Sequence, residues 1–161
     1  MKKIFTLNEL HSHRGCYSRE MISWCVRGER AVSLDFIINH SEVKLTEKAW
    51  FISNNIELTP HQHSELALGC ARIAVDMFGA DTVSNNPVIT GLLRTTLTND
   101  VSIDNCMFIA GSKNQQYAYA IYAACSRDPF DRLYSAARSI ELAGGEWVER
   151  LIEYWIKTFV D

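Results

Sequence analysis

Helix-start signals followed by apolar residues at helical spacing occur over most of residues 59–160. The clearest example begins at Thr59, whose hydroxyl can accept a hydrogen bond from the first turn, and Pro60, which carries no N–H. Gln62 completes a capping box. Apolar residues then recur at i, i+4, i+7 and i+11: Leu66, Cys70, Ile73 and Met77. The pattern predicts a helix that ends near Gly79 and lies near the centre of a domain, because most of its sides are apolar.

The same signals recur along the rest of the chain. Pro87 follows two asparagines and opens VITGLLRTTL, and Ser112 with Gln115 forms a capping box before QQYAYAIYAAC. The pair Asp128–Pro129 opens FDRLYSAARSIELA, which a Gly-Gly pair ends. Each of these segments is predicted to be a helix.

The last segment, EWVERLIEYWIKTFV, has the widest apolar stripe. Seven apolar residues share one side of the predicted helix: Trp147, Val148, Leu151, Ile152, Trp155, Ile156 and Phe159. Charged residues occupy the other side, with Glu153 and Lys157 at the favourable i, i+4 spacing. The short loop before this segment predicts that it packs antiparallel to the preceding helix.

The N-terminal third is less regular. Ser18 can cap a short helix, REMISWCVR, that ends at Gly28. From residue 30, AVSLDFIIN and KAWFISNNIEL are rich enough in β-branched and aromatic residues to form strands. We favour helices for residues 30–58, because the chain after residue 59 is predicted to be helical and no Asn-Gly or Asp-Gly hairpin turn lies between the two stretches.

Length and composition indicate one domain. A chain of 161 residues that is 47% hydrophobic has the size of a single domain with its own core. The predicted fold is therefore all-α: one domain over residues 1–161, a bundle of about seven to nine helices, with short strands in the N-terminal third as the alternative.

Charge and hydropathy exclude several classes of protein. No apolar run reaches the roughly 18 residues of a membrane span, and the apolar part of MKKIFTLNELHSH is too short for a signal peptide. We therefore expect a cytoplasmic protein with no membrane partner. The net charge is −3: residues 1–30 carry six Lys/Arg and three Asp/Glu (+3), and the remainder carries ten and sixteen (−6). This balance gives no footprint for nucleic acid.

Motifs for covalent catalysis and cofactor binding are missing. The five cysteines are widely spaced with no C-x-x-C, a poor pattern for disulfides or zinc. Cys16 with His13, or Cys70 with His40, would be the candidate nucleophile pairs. Lys113 lies in a G-S-K that lacks the glycine spacing of a phosphate loop. We expect no catalytic residue and no cofactor.

The histidines supply the alternative function, a metal-dependent hydrolase. His11, His13, His61, His63 and Glu65 together would suit zinc or another first-row metal. On a helix, however, residues i and i+2 point about 200° apart, so an H-x-H pair chelates well only from extended chain. His61 and Glu65, at i and i+4, could share a metal. We expect no metal centre and keep these residues as the weaker candidates.

The outer side of the last predicted helix is the expected partner surface. Its candidate residues are Glu146, Glu149, Glu153 and Tyr154. Acidic side chains there would suit a basic protein. Two other surfaces stay open: the basic N-terminal segment around Arg14, Arg19, Arg27 and Arg30, and the polar stripe of His61, Glu65, Arg72 and Asp76. A homo-oligomer is a further alternative.

Three stretches carry a resemblance. LALGCARIAVDMF, the Ala- and Tyr-rich QQYAYAIYAACSRD, and GCYSREMISWC resemble the all-helical immunity proteins encoded near bacterial toxin genes and related small phage proteins. The resemblance covers residues 15–140. It implies a stoichiometric binder rather than a catalyst, one that blocks a toxin or a host defence factor, and it assigns no site residues.

Overall fold

The computed structural model describes residues 4–6, 31–79, 104, 106 and 115–159. In chain order, its elements are β1 (Ile4–Thr6), β2 (Ala31–Ser33), α1 (Leu34–Asn39), α2 (Leu45–Asn55), α3 (Pro60–Asp76), α4 (Gln115–Cys125), α5 (Pro129–Ala143) and α6 (Glu146–Phe159). These six helices and one small sheet confirm a mainly helical protein. The count of seven to nine helices stays a prediction, because the helices predicted from Ser18 and Pro87 fall outside the described residues.

The predicted helix ends are present where the structure describes them. At the start of α3, the Gln62 N–H donates to Thr59 Oγ1 at 3.3 Å, and the Thr59 N–H donates to Gln62 Oε1 at 2.9 Å. At the start of α5, the Asp131 N–H donates to Asp128 Oδ1 at 2.9 Å. Gly144, with φ of 70°, follows the last turn of α5. Local cap chemistry therefore determines these boundaries.

Helix α5 contacts α2, α3, α4 and α6. Small residues let its neighbours approach closely: Ser135, Ala136, Ala137 and Ser139 are all buried. Ser139 Oγ also donates to the Gln116 carbonyl of α4 at 2.6 Å. Helix α3 is less buried than its apolar pattern predicts, since Leu68 is 40% exposed. Among the described helices, the one at the centre of the packing is therefore α5 rather than α3.

The helix that the sequence favoured for residues 31–33 is wrong, because these residues form strand β2. β1 and β2 pair antiparallel, with Phe5 opposite Val32, and both of these side chains are buried. The Phe5 ring meets the Phe51 ring of α2 edge-on, 4.8 Å between centroids. The absence of a tight turn was the wrong criterion, because this pairing joins segments far apart in sequence. The helices favoured for the following residues are confirmed as α1 and α2.

Ser33 marks the change from strand to helix. Its hydroxyl accepts from the Phe36 N–H at 3.1 Å, which caps α1. Val32 and Leu34 thus lie on opposite sides of a strand–helix junction. None of the helices in the described ranges is long and apolar enough to cross a membrane.

Candidate interaction surface

The inner side of α6 is fixed to the rest of the protein. Leu151, Trp155 and Phe159 are buried, and Trp155 is fully so. The Trp155 indole N–H donates to Cys70 Sγ of α3 at 3.2 Å. The other members of the predicted apolar stripe are partly buried against the same core: Trp147, Val148, Ile152 and Ile156. The predicted inner side of this helix is confirmed.

The outer side of α6 carries three exposed carboxylates, Glu146, Glu149 and Glu153, which we call the acidic face. The ion pairs seen between described residues are His61–Glu65 and Arg138–Glu141, so none involves the acidic face. In particular, Glu153 and Lys157 are not paired despite their spacing. The three carboxylates therefore face solvent with no cationic partner among the described residues.

Nearby groups on α6 leave the acidic face available. The Arg150 guanidinium lies over the Trp147 ring, 4.9 Å from its centroid, rather than on a glutamate. Glu146 and Glu149 lie in the first turn, where the partial positive charge of the helix N-terminus favours carboxylates. Two of the three glutamates thus stabilise their own helix modestly while their side chains stay in water.

Tyr154 belongs to the α3–α6 contact more than to the acidic face. The side chain is half-buried and packed against the core. Its hydroxyl lies over Gly69 of α3, where an added Cβ would overlap it. Burial is the main cause that raises the pKa of the Tyr154 phenol. Of the four predicted partner-binding residues, the structure therefore brings the three glutamates together at the surface and turns Tyr154 towards α3.

The described histidines point in different directions. His61 Nε2 lies 3.6 Å from Glu65 Oε1, and these side chains are 81% and 67% exposed. His63 Nε2 lies 3.4 Å from Ser53 Oγ of α2. Among the residues that the structure describes, no three His, Cys, Asp or Glu are grouped to hold a metal. His11 and His13 lie outside the described residues.

The described thiols are buried. Burial raises the pKa of Cys70 and of Cys106 to about 12 and that of Cys125 to about 11. A thiol with such a pKa is almost entirely protonated at neutral pH and is a poor nucleophile. Of the predicted pair Cys70 and His40, Cys70 contacts Trp155, whereas His40 lies against the Phe36 ring. The predicted Cys16–His13 pair and Lys113 lie outside the described residues.

One feature missed by sequence reasoning lies where α5 meets the start of α2, here called the α2–α5 junction. Glu141 Oε2 of α5 accepts from the Thr46 N–H at 3.1 Å and the Thr46 hydroxyl at 3.0 Å. Arg138 donates to Glu141 Oε1 at 2.7 Å. A carboxylate from one helix thus caps the first turn of another. No sequence signal marks this contact, because the two partners are 95 residues apart.

A buried lysine was also missed. Lys48 of α2 is 2% exposed, and burial lowers its pKa from 10.5 to about 8. Its position three residues after Leu45 and four before Ile52 places it on the buried side of α2. That spacing was the available signal, although lysine at such a position ordinarily extends its amine to water.

Comparison with known proteins adds no relative: no family model, curated protein or solved structure matches this chain.

Proposed function

We propose that this protein is a non-catalytic binding module that docks its acidic face, Glu146, Glu149 and Glu153, on a basic surface of another protein. One observation carries the proposal. The three carboxylates repeat along one side of a helix, all are exposed, and none has an ion-pair partner among the described residues. A row of uncompensated charge on a fixed helix is a suitable contact for a partner of opposite charge.

Two physical facts favour binding over a stabilising role. Exposed charges contribute little to folding, about 0–1 kcal/mol for an ion pair. The same charges across an interface increase the association rate and select the partner. The buried Trp155 anchor holds α6 in place, so docking on this face needs no rearrangement of the helix.

The class of partner follows from the resemblance to immunity proteins. We propose inhibition of a toxin or a host defence factor, as an immunity or anti-defence protein acting in the cytoplasm. The proposal includes the additional helices predicted from Ser18 and Pro87, which would bring the bundle to seven to nine.

The alternative, a metal-dependent hydrolase, has one supporting contact. His61 and Glu65 lie 3.6 Å apart and are exposed. A metal there would need a third ligand from outside the described residues, such as His11 or His13. Stoichiometric zinc by elemental analysis, lost together with thermal stability on chelation, would favour this alternative.

The proposal is tested by reversing the charge of the acidic face. The triple variant Glu146→Lys, Glu149→Lys, Glu153→Lys should melt within about 4 °C of the parent and lose a partner recovered with the parent from lysate of the native host. A matched control applies the same charge change to exposed acidic residues elsewhere: Glu42→Lys, Glu57→Lys and Asp104→Lys. Recovery by the control but not by the triple variant supports the proposal. Equal recovery by both excludes the acidic face.

A further inference from the structure

A second exposed surface runs along α3. Five exposed residues at i, i+4, i+7, i+11 and i+15 form one ridge: His61, Glu65, Leu68, Arg72 and Asp76. At 3.6 residues per turn they lie within about 80° of each other around the helix. Leu68, at the middle of the ridge, is 40% exposed. The α3 ridge is therefore an apolar centre flanked by charges along four turns.

The order of charges on the α3 ridge is self-complementary. Glu65 and Arg72 are equally far from the midpoint between Leu68 and Gly69, and so are His61 and Asp76. A two-fold axis through that midpoint would pack α3 antiparallel to α3 of a second copy. Glu65 would then face Arg72 of the second copy, His61 would face Asp76, and the two Leu68 side chains would meet at the axis.

A parallel arrangement has the opposite electrostatics. It would place Glu65 beside Glu65 of the second copy and Arg72 beside Arg72, so like charges would repel. The sequence of the ridge thus distinguishes between the two ways of joining copies.

The charged groups of the ridge are available for such a contact. Arg72 and Asp76 form no ion pair with any residue that the structure describes. Within the described ranges, the ion-pair partner of Glu65 is the exposed His61, and such exposed pairs are weak and easily exchanged. Tyr154 fills the space above Gly69 and bounds the ridge on the side of α6.

We infer that the α3 ridge is a homodimer interface in which two copies pack antiparallel through Leu68, with reciprocal Glu65–Arg72 ion pairs. A contact along one helix is smaller than the about 1,000 Å² typical of stable interfaces. The dimer is therefore weak, with a dissociation constant of about 10 µM to 1 mM. The ridge is separate from the acidic face, so the dimer does not depend on the proposed function.

Charge reversal with mixing tests the inference by sedimentation equilibrium. Glu65→Arg alone would place arginine against Arg72 in both pairs, and Arg72→Glu alone would place glutamate against Glu65. Each variant should weaken the dimer by at least about tenfold. Mixing the two variants should restore association, because every facing pair is then of opposite charge. Leu68→Asp should abolish the dimer, whereas Glu57→Arg, an exposed loop change, should leave it intact.

Restored association in the mixture supports the antiparallel interface and cannot result from misfolding of either variant. Three results would overturn it: a parent that stays monomeric up to about 1 mM, single variants that associate like the parent, or a mixture that stays monomeric while the parent dimerises.

Discussion

The α2–α5 junction and the acidic face of α6 both carry carboxylates, in opposite environments. At the junction, Glu141 is 19% exposed and accepts three hydrogen bonds, two from Thr46 and one from Arg138. On the acidic face, the glutamates are exposed and unpaired among the described residues. A desolvated carboxylate with several donors is part of the folded structure. A carboxylate that is solvated in the folded protein can instead be desolvated when a partner binds.

Lysines show the same contrast. Lys48 is 2% exposed with its pKa lowered to about 8, whereas Lys157 of α6 is exposed. Charge inside the bundle therefore affects folding strongly, whereas the exposed charge on α6 affects it only a little. Substitutions in both regions test this difference.

The contrast between the α2–α5 junction and the acidic face requires that the inner side of α6 is fixed to the core. Trp155→Ala tests this requirement. Removing this fully buried side chain and its hydrogen bond to Cys70 should lower the free energy of unfolding by about 3–5 kcal/mol. Trp147→Ala, at a half-buried position, should cause a smaller loss. Denaturant titration measures both. Equal small losses would mean that α6 is not anchored as described.

Lys48→Met should remove a pH-dependent penalty. Because the folded-state pKa is lowered from 10.5 to about 8, protonated Lys48 opposes folding. The penalty is fully present below about pH 8 and disappears as the pH rises towards 10.5, where the unfolded state also loses the proton. The shift corresponds to about 3 kcal/mol.

Urea titrations of parent and Lys48→Met at pH 7 and pH 10.5 measure this change. The amount by which Lys48→Met is more stable than the parent should decrease by about 3 kcal/mol between pH 7 and pH 10.5. Lys157→Met makes the same chemical change at an exposed position and is the matched control. A difference between Lys48→Met and the parent that stays the same at both pH values would mean that the Lys48 amine is solvated in the folded state.

Glu141→Ala should destabilise the α2–α5 junction by about 1–3 kcal/mol, because the Thr46 N–H loses its acceptor and Arg138 loses its partner. Glu149→Ala makes the same chemical change on the acidic face and should alter the free energy of unfolding by no more than about 0.5 kcal/mol. Thermal and urea unfolding of the two variants measure the contrast. If Glu141→Ala and Glu149→Ala lowered the free energy of unfolding equally, the hydrogen bonds of the α2–α5 junction would not contribute to stability as described.

Reversing all three charges of the acidic face should change stability least. The free energy of unfolding of the triple Glu→Lys variant should lie within about 1 kcal/mol of the parent's value. Exposed charges contribute little to stability, and only the first-turn glutamates interact with the helix terminus. Calorimetry at low and moderate salt measures the change. A loss of several kcal/mol would show that these carboxylates are needed for folding and would remove the reason to assign them to binding.

Sequence reasoning succeeded where the determining contacts are local. Thr59 with Gln62 and Asp128 with Asp131 bond within one helical turn, so the sequence contains both partners of each cap. Helical spacing likewise predicted that Trp155 would be buried.

It failed where the partners are distant. The Phe5–Val32 pairing and the Glu141–Thr46 cap join segments that no periodicity connects. Lys48 shows a third kind of failure. Its position relative to Leu45 and Ile52 matches the buried side of α2, but sequence reasoning did not expect a charged side chain to be buried there. For the candidate surface, spacing placed the glutamates correctly, while the turn of Tyr154 towards Gly69 depends on how α3 and α6 pack.

The most direct test of the central claim is to identify which carboxylates touch a partner. Carbodiimide joins a carboxylate to an amine only at ion-pair distance, and mass spectrometry identifies the linked residues. Crosslinking in native host cells should join Glu146, Glu149 or Glu153 to lysines of one partner protein. Crosslinks to a partner that arise only from other exposed carboxylates, such as Glu42 or Glu57, would contradict the account.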